Sequence, residues 1–203
     1  MDTLITLASS AVESSGYIYP NEFELQWGVL VVLYPYLTGL VAGAFILASL
    51  ERVFNVHVLE PVYRLSLLTA LAFLIVAPLP LLAHLGHPER SFEMFLTPHT
   101  QSAMAMFGFV YAWYLMIVLL VEIWLDYRQN FVRWSRASTG IKKYFYLALT
   151  LGATDISEKS LVFDDKFGKA ITILGIPSAF LLQGYVGFIF GSIKANPWWS
   201  SVL

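Results

Sequence analysis

The sequence predicts an all-α integral membrane protein with about four transmembrane helices that form one four-helix bundle. Of its 203 residues, 58% are hydrophobic and 13% are charged, and the mean hydropathy is +0.67. A soluble domain of this size cannot bury so much apolar surface, so lipid is the expected solvent. Four apolar stretches also reach the length of about 20 residues that a helix needs to cross a bilayer.

The four predicted spans follow one another along the chain, and a fifth apolar stretch is too short to be one. The spans cover residues 25–50, 65–85, 102–125 and 170–193. The fifth stretch, 144–153, has about half the required length and is predicted to be an interfacial or partly buried helix. Residues 1–24 then form an outer tail. Residues 25–195 form the bundle, with a cytoplasmic connection at 126–169, and residues 196–203 lie at the outer face.

The basic residues predict the orientation of the bundle. Of the 12 Lys and Arg residues, Arg52 and Arg64 lie between spans one and two, and eight lie in the connection between spans three and four. Cytoplasmic loops carry such an excess of positive charge. The sequence therefore predicts a multi-pass protein of the inner (cytoplasmic) membrane of a bacterial or archaeal cell, with its amino terminus outside.

Composition also excludes several functions. The net charge of −2 leaves no broad basic surface, so a nucleic-acid-binding function is not expected. The absence of cysteine excludes disulfides, thiolate zinc sites and an iron–sulfur cluster held by the chain itself. Any electrons that the protein handles must be carried by a partner or a bound cofactor.

Prolines and glycines within the spans predict local features of the bundle. Prolines remove backbone donors, and the carbonyl groups that they free need other partners in lipid. A distorted helix is therefore expected near the outer half of span two, which contains Pro78 and Pro80. The small-xxx-small patterns at 39–43 and 187–191 predict close helix packing.

The densest polar cluster lies between spans two and three. It contains His84, His87, Glu89, Arg90 and His99, and thus three of the four histidines of the chain. Histidine exchanges protons near neutral pH, and a neighbouring Glu or Arg can tune it. Neither a metal site nor a bis-histidine haem site is expected, because only His84 falls inside a span and no further ligands complete a recognisable set.

A purely structural reading of this loop remains open. Gly86 can end span two as a left-handed cap, and Pro88 can begin a short interfacial helix. In that case Glu89 and Arg90 are merely solvated or paired.

Three other residues are candidates for chemistry. Glu51 and Glu122 lie near the inner ends of spans one and three, where they form a possible proton route, although side chains at this depth more often extend to the interface. Tyr34, in the outer half of span one, is a plausible hydrogen-bond donor, and a packing role is the alternative.

Two stretches carry a family resemblance. Residues 36–43 read Tyr-Leu-Thr-Gly-Leu-Val-Ala-Gly, and residues 84–90 read His-Leu-Gly-His-Pro-Glu-Arg. Together they resemble the NrfD-like family, the membrane subunits of polysulfide reductases. His84 and His87 replace the usual Asp and Arg of the family's loop after the second helix. The other five residues match that loop: Leu85, Gly86, Pro88, Glu89 and Arg90.

The resemblance implies a quinone-interacting membrane subunit that is not catalytic alone. It binds menaquinone or ubiquinone and holds no haem or iron–sulfur cluster of its own. Its partners are a ferredoxin-like iron–sulfur subunit and a further redox catalytic subunit, such as a molybdopterin enzyme or a multihaem cytochrome. Family members usually have eight or more spans in two four-helix bundles, so this chain corresponds to the first bundle and residues 196–199 to the approach to a further span.

The sequence thus predicts a subunit of a respiratory redox complex that passes electrons between a quinone and an iron–sulfur partner. His84, His87 and Glu89 are expected to exchange protons with the quinone, and Tyr34 to position its ring. Arg90 and His99 are expected to order the loop or the partner interface. Two alternatives are a purely structural membrane anchor and an ion-translocating or proton-translocating transporter subunit.

Overall fold

The structure is a computed structural model that describes residues 27–96, 111, 113–192 and 197–200. Every regular element in these residues is helical. The predicted outer tail, 1–24, lies outside the described residues, as does the first part of predicted span three.

The helices are labelled in chain order. They are α1 Val29–Arg52, α2 Glu60–Val76, α3 Pro78–His84, α4 Glu93–Leu96, α5 Leu120–Ala137, α6 Ile141–Leu149, α7 Glu158–Gly191 and α8 Pro197–Ser200. Two 3₁₀ turns, His57–Leu59 and Pro88–Arg90, precede α2 and α4. A π-helical stretch, Trp113–Leu119, leads directly into α5.

Three helical segments in the described part of the chain are long and apolar enough to cross a membrane: Val29–Arg52, His57–His84 and Glu158–Gly191. They cover most of predicted spans one, two and four. Predicted span three is helical from Trp113 onward within the described residues. The prediction of an all-α membrane fold is therefore confirmed.

Two helices extend well beyond the predicted spans. The helix of predicted span three, α5, continues to Ala137, and the helix of predicted span four, α7, begins at Glu158. Most of the predicted connection 126–169 is therefore helical. Between them lies α6, which has nine residues and is too short to cross a bilayer. The short helix predicted at 144–153 thus exists, although it begins at Ile141 and ends at Leu149.

The expected helix distortion near the prolines is found between α2 and α3, where Ala77 separates the two helices. Pro78 has no N–H group to donate to the Leu74 carbonyl, four residues earlier. The hydroxyl group of the buried Tyr111 donates to that carbonyl instead. A side chain from another part of the bundle therefore satisfies the acceptor that the proline leaves free.

One close helix approach involves a glycine outside the predicted patterns. A Cβ atom on Gly175 of α7 would overlap the ring of Phe45 in α1 and the side chain of Val118. Within the predicted patterns, a Cβ atom on Gly39 would be in ordinary van der Waals contact with Gln183 of α7, at 3.7 Å. A Cβ atom on Gly43 or Gly187 would meet none of the described residues within 4 Å.

The structure also changes the interpretation of Gly86. The extended backbone of Leu85, with φ −65° and ψ 133°, ends α3. The glycines with positive φ in the described residues are Gly140 and Gly152, so the left-handed cap proposed for Gly86 was wrong. Pro88 does begin a short 3₁₀ turn, as that structural reading expected.

Candidate functional site: a cavity at the histidine end of the bundle

The two ends of the bundle differ in their chemistry. We call the end where α3 terminates at His84 the histidine end. We call the opposite end, where α1 terminates at Arg52 and α5 carries Asp126, the basic end.

A cavity of about 480 Å³ lies at the histidine end, between α1, α3 and α7. Most of its lining is aliphatic or aromatic, and a few polar groups interrupt it. Its lining residues are Trp27, Val31, Tyr34, Ile75, Pro78, Leu79, Leu81, Leu82, His84, Leu85, Ser91, Phe92, Tyr111, Tyr185, Val186, Ile189 and Phe190.

Three tyrosines and one histidine supply the main polar groups of this cavity. Tyr34 comes from the buried face of α1, and Tyr185 comes from α7. Tyr111 is fixed by its hydrogen bond to the Leu74 carbonyl, and His84 is the last residue of α3. Phenol and imidazole groups in an otherwise apolar wall can donate hydrogen bonds to a carbonyl oxygen, and imidazole can also take up a proton.

The loop that follows α3 contains one polar side-chain contact and one ion pair. His87 Nδ1 lies 3.0 Å from Glu89 Oε1, and both side chains are exposed. Arg90 donates to both carboxylate oxygens of Glu93, at 3.1 and 3.3 Å. These hydrogen bonds to the Glu93 carboxylate raise the pKa of the Arg90 guanidinium. The loop is therefore held together by contacts within itself.

The predicted site residues separate into two groups. His84 and Tyr34 line the same cavity, whereas His87, Glu89 and Arg90 lie beside it on the exposed loop. His99 lies outside the described residues. Sequence analysis missed Tyr111 and Tyr185. Their signal is a tyrosine in the outer half of its span, and this signal does not distinguish a cavity wall from a lipid-facing position.

A second polar cluster, the Glu122 cluster, lies at the basic end. It consists of Glu122, Tyr63, Thr172, Arg52 and Asp126. Glu122 is 0% exposed, and its Oε1 atom accepts hydrogen bonds from Thr172 Oγ1 at 2.8 Å and from the Tyr63 hydroxyl at 3.3 Å. The Tyr63 hydroxyl accepts from Arg52, whose guanidinium lies 3.9 Å from an Asp126 carboxylate oxygen. Glu122 therefore packs into the bundle, and the interpretation that it extends to the interface was wrong.

Two further features shape this cluster. A Cβ atom on Gly168 would overlap the Arg52 guanidinium, so a larger residue at this position would require the Arg52 side chain to shift. Among the described residues, neither Glu122 Oε2 nor the buried hydroxyl of Tyr114 has a hydrogen-bond partner. Glu51 is partly exposed, and the described hydrogen bonds of Glu122 do not include it.

Comparison with known proteins assigns the family. The family model described as "Polysulphide reductase, NrfD" matches residues 20–203. The chain belongs to the NrfD family. This assignment agrees with the resemblance carried by residues 36–43 and 84–90.

Two curated NrfD relatives are similar to this chain over 88% of its length. One, a subunit of the selenate reductase of Mesobacillus selenatarsenatis, is 34% identical over 183 residues, which are 43% of that protein. The other, from Halobacterium salinarum and provisionally named a membrane subunit of dimethyl sulfoxide reductase, is 26% identical over 185 residues, or 38% of its length. The chain thus spans about two fifths of each relative. No solved structure matches it.

Proposed function

We propose that this chain is the membrane subunit of a redox reductase complex, and that it binds a quinone or quinol and exchanges electrons with an iron–sulfur partner subunit. The cavity at the histidine end carries this proposal. The family supports it, as do the names of the two relatives, which are reductase subunits. The proposed complex also contains a ferredoxin-like subunit and a further redox catalytic subunit, and it lies in the inner membrane with the histidine end outside.

The cavity has the size and lining that a quinone ring requires. Small-molecule sites commonly measure roughly 300–1,000 Å³ and combine an apolar wall with a few polar groups. The cavity of about 480 Å³ lies in this range, and its wall contains the polar side chains of Tyr34, His84 and Tyr185. A flat six-membered ring with two carbonyl or hydroxyl oxygens, such as that of menaquinone or ubiquinone, matches this combination.

Each predicted residue has a specific role in the proposal. A bound quinone supplies the two-electron, two-proton chemistry. His84 holds or releases a proton at the cavity wall, and Tyr34 donates a hydrogen bond that orients the ring. His87 and Glu89, which lie 3.0 Å apart on the adjacent exposed loop, pass protons between His84 and the aqueous phase. Arg90 orders this loop through its pair with Glu93.

Photoaffinity labelling with an azidoquinone, performed on the intact complex in its membrane, tests the proposal. Labelling of the 78–92 region is expected, together with competition by unlabelled quinone. Loss of one hydrogen bond in the His84→Ala variant is expected to weaken binding about tenfold. His57→Ala is the matched control, because His57 is an exposed histidine at the other end of the bundle. Unchanged quinol-dependent turnover in both His84→Ala and His87→Ala would contradict the assignment.

Steady-state kinetics with quinol separate this function from a purely structural anchor. Tyr34→Phe removes one hydroxyl group from the cavity, and Tyr36→Phe removes one from the exposed face of the same helix. A quinone site predicts that only Tyr34→Phe changes the Michaelis constant for quinol while the complex stays assembled. An anchor predicts that neither variant changes turnover.

The Glu122 cluster favours a second candidate function, which is proton transfer from the basic end. A buried carboxylate in a span is costly and usually functional. The single hydroxyl hydrogen of Thr172 has two acceptors, Glu122 Oε1 at 2.8 Å and the Gly168 carbonyl at 2.9 Å. When Thr172 donates to Gly168, its oxygen can accept from a protonated Glu122. The cluster can therefore hold a proton or release it without a large rearrangement.

Proton uptake by vesicles that contain the assembled complex tests this second candidate. Glu122→Gln keeps the shape of the side chain but cannot release a proton, so the number of protons taken up per electron should fall. Glu60→Gln, at the exposed start of α2, removes the same charge from the same end of the bundle and serves as the control. Glu51→Gln tests the other member of the predicted route. An unchanged ratio in Glu122→Gln would refute a role for this cluster.

A further inference from the structure

A groove lies between α1 and α7, beside the cavity at the histidine end. It measures about 570 Å³, and we call it the α1–α7 groove. Val186 and Phe190 of α7 belong to the wall of this groove and also to the wall of the cavity. The two spaces are therefore neighbours, and the side chains of these two residues lie between them.

The α1 side of the groove is open to the surroundings of the bundle. Val32 and Tyr36 line this side and are 46% and 64% exposed. Both residues belong to a helix that is long and apolar enough to cross a membrane. Because the solvent around such a helix is hydrocarbon, the groove opens toward lipid rather than toward water.

Gly187 gives the groove its depth. Small residues in membrane helices usually let two helix backbones approach each other, but a Cβ atom on Gly187 would meet none of the described residues within 4 Å. About one turn toward the basic end, the two helices do meet. There a Cβ atom on Gly39 would lie 3.7 Å from the Gln183 amide nitrogen, and Thr38 Oγ1 lies 3.2 Å from Gln183 Oε1. The groove therefore ends at these contacts and has free space beside Gly187.

Three aromatic rings lie where the groove meets the cavity. The centroid of the Phe190 ring lies 5.4 Å from that of Trp27, which lines the cavity, and 4.9 Å from that of Trp199, which lines the groove. The described lining of the groove contains no charged side chain. An apolar chain that leaves the cavity beside Phe190 would thus contact aromatic and aliphatic surface along its way.

We propose that the α1–α7 groove holds the isoprenoid tail of the quinone whose ring occupies the cavity. This inference rests on the proposed quinone site and locates the rest of the same molecule. A hydrocarbon tail needs apolar contact and no hydrogen-bond partner. From Phe190 to Gln183 the groove extends about 10 Å along α7, away from the histidine end and toward the bilayer centre. Gly187 is then a specificity determinant, because its missing side chain leaves the room that the tail takes.

Photolabelling of the unaltered complex with a quinone that carries a diazirine on its tail locates the tail directly. The proposal predicts labelling of residues 32–36 and 183–190, whereas an azide on the ring labels 78–92. The exposed Ile75 and Leu79 mark another side of the cavity. Tail labelling at these two residues, or at no protein residue, would overturn the proposal and leave the quinone site standing. If the ring azide does not label 78–92, the proposed function fails, and this inference fails with it.

Filling the groove supplies a second, independent measurement. Gly187→Phe places a ring in the free space of the groove. Gly43→Phe is the matched control, because Gly43 is an exposed glycine of α1 that does not line the groove and whose Cβ atom would also meet none of the described residues within 4 Å. Turnover of the assembled complex is measured with menaquinol and with menadiol, which has the same ring and no tail. For a complex that uses ubiquinol, the pair is ubiquinol and its tail-free analogue.

The two quinols are expected to respond differently to Gly187→Phe. The Michaelis constant for the tailed quinol should rise about tenfold, as steric conflict in a filled site predicts, and that for the tail-free quinol should stay unchanged. Gly43→Phe should change neither constant. An equal rise for both quinols, or no change for either, would overturn the proposal. Loss of assembly in Gly187→Phe but not in Gly43→Phe would also overturn it, because the groove would then be a surface that packs against another helix.

Discussion

The hydrogen bond from Tyr111 to the Leu74 carbonyl predicts a specific energetic coupling with Pro78. The carbonyl belongs to a residue that is 0% exposed, and the proline four residues later has no N–H group to offer it. Tyr111→Phe therefore leaves an acceptor buried without that donor. In a Pro78→Ala background, the new backbone N–H can supply the hydrogen bond, so the same change should matter less.

The expected magnitude follows from what that acceptor loses. A buried acceptor without its partner costs about 1–3 kcal/mol in soluble proteins. Within membranes, measured hydrogen-bond contributions average about 0.6 kcal/mol and reach about 1.7. In the natural sequence, we expect Tyr111→Phe to lower the free energy of unfolding by about 1 kcal/mol, within this range. In the Pro78→Ala background, the same change should lower it by less than half of that amount.

A double-mutant cycle gives the coupling energy. The natural chain, the two single variants and the double variant are unfolded by dodecyl sulfate in mixed micelles, and unfolding is followed by tryptophan fluorescence. Tyr36→Phe, on the exposed side of α1, controls for the loss of a phenol hydroxyl group. If Tyr111→Phe lowers the free energy of unfolding equally with and without Pro78, the tyrosine does not replace the donor that the proline removes.

Two further predictions concern packing and buried charge. Arg128→Met leaves the Asp164 carboxylate and two carbonyl groups without their donor and should lower the free energy of unfolding by about 3–5 kcal/mol, as removal of one member of a buried ion pair does. Gly175→Ala should destabilise the chain by about 1–3 kcal/mol in the same assay, because the added methyl group meets Phe45. The added methyl group of Gly187→Ala meets none of the described residues within 4 Å, so this change should be nearly neutral, and equal effects of the two alanines would contradict this packing.

Sequence reasoning named two residues that line the cavity, His84 and Tyr34, and misjudged the burial of Glu122 at the basic end. His84 follows two prolines at the end of a span, so hydropathy and proline chemistry together locate it. Glu122 is different, because its distance from the end of its span is compatible both with burial and with extension to the interface. The choice depends on Thr172 and Tyr63, which lie on two other helices and are 50 and 59 residues away in the chain. No local pattern contains that information.

The sequence by itself determined the membrane class, most of the helical segments, the break at Pro78 and the family, because each depends on local composition or on a short motif. Tertiary structure decided which polar groups meet: Tyr111 with the Leu74 carbonyl, Glu122 with Thr172, and Tyr34 with His84 around one cavity. The physical reason lies in the solvent. Lipid is as apolar as the interior of the bundle, so hydropathy does not distinguish the helix face that meets lipid from the face that meets another helix. Only the three-dimensional arrangement of the helices resolves that choice.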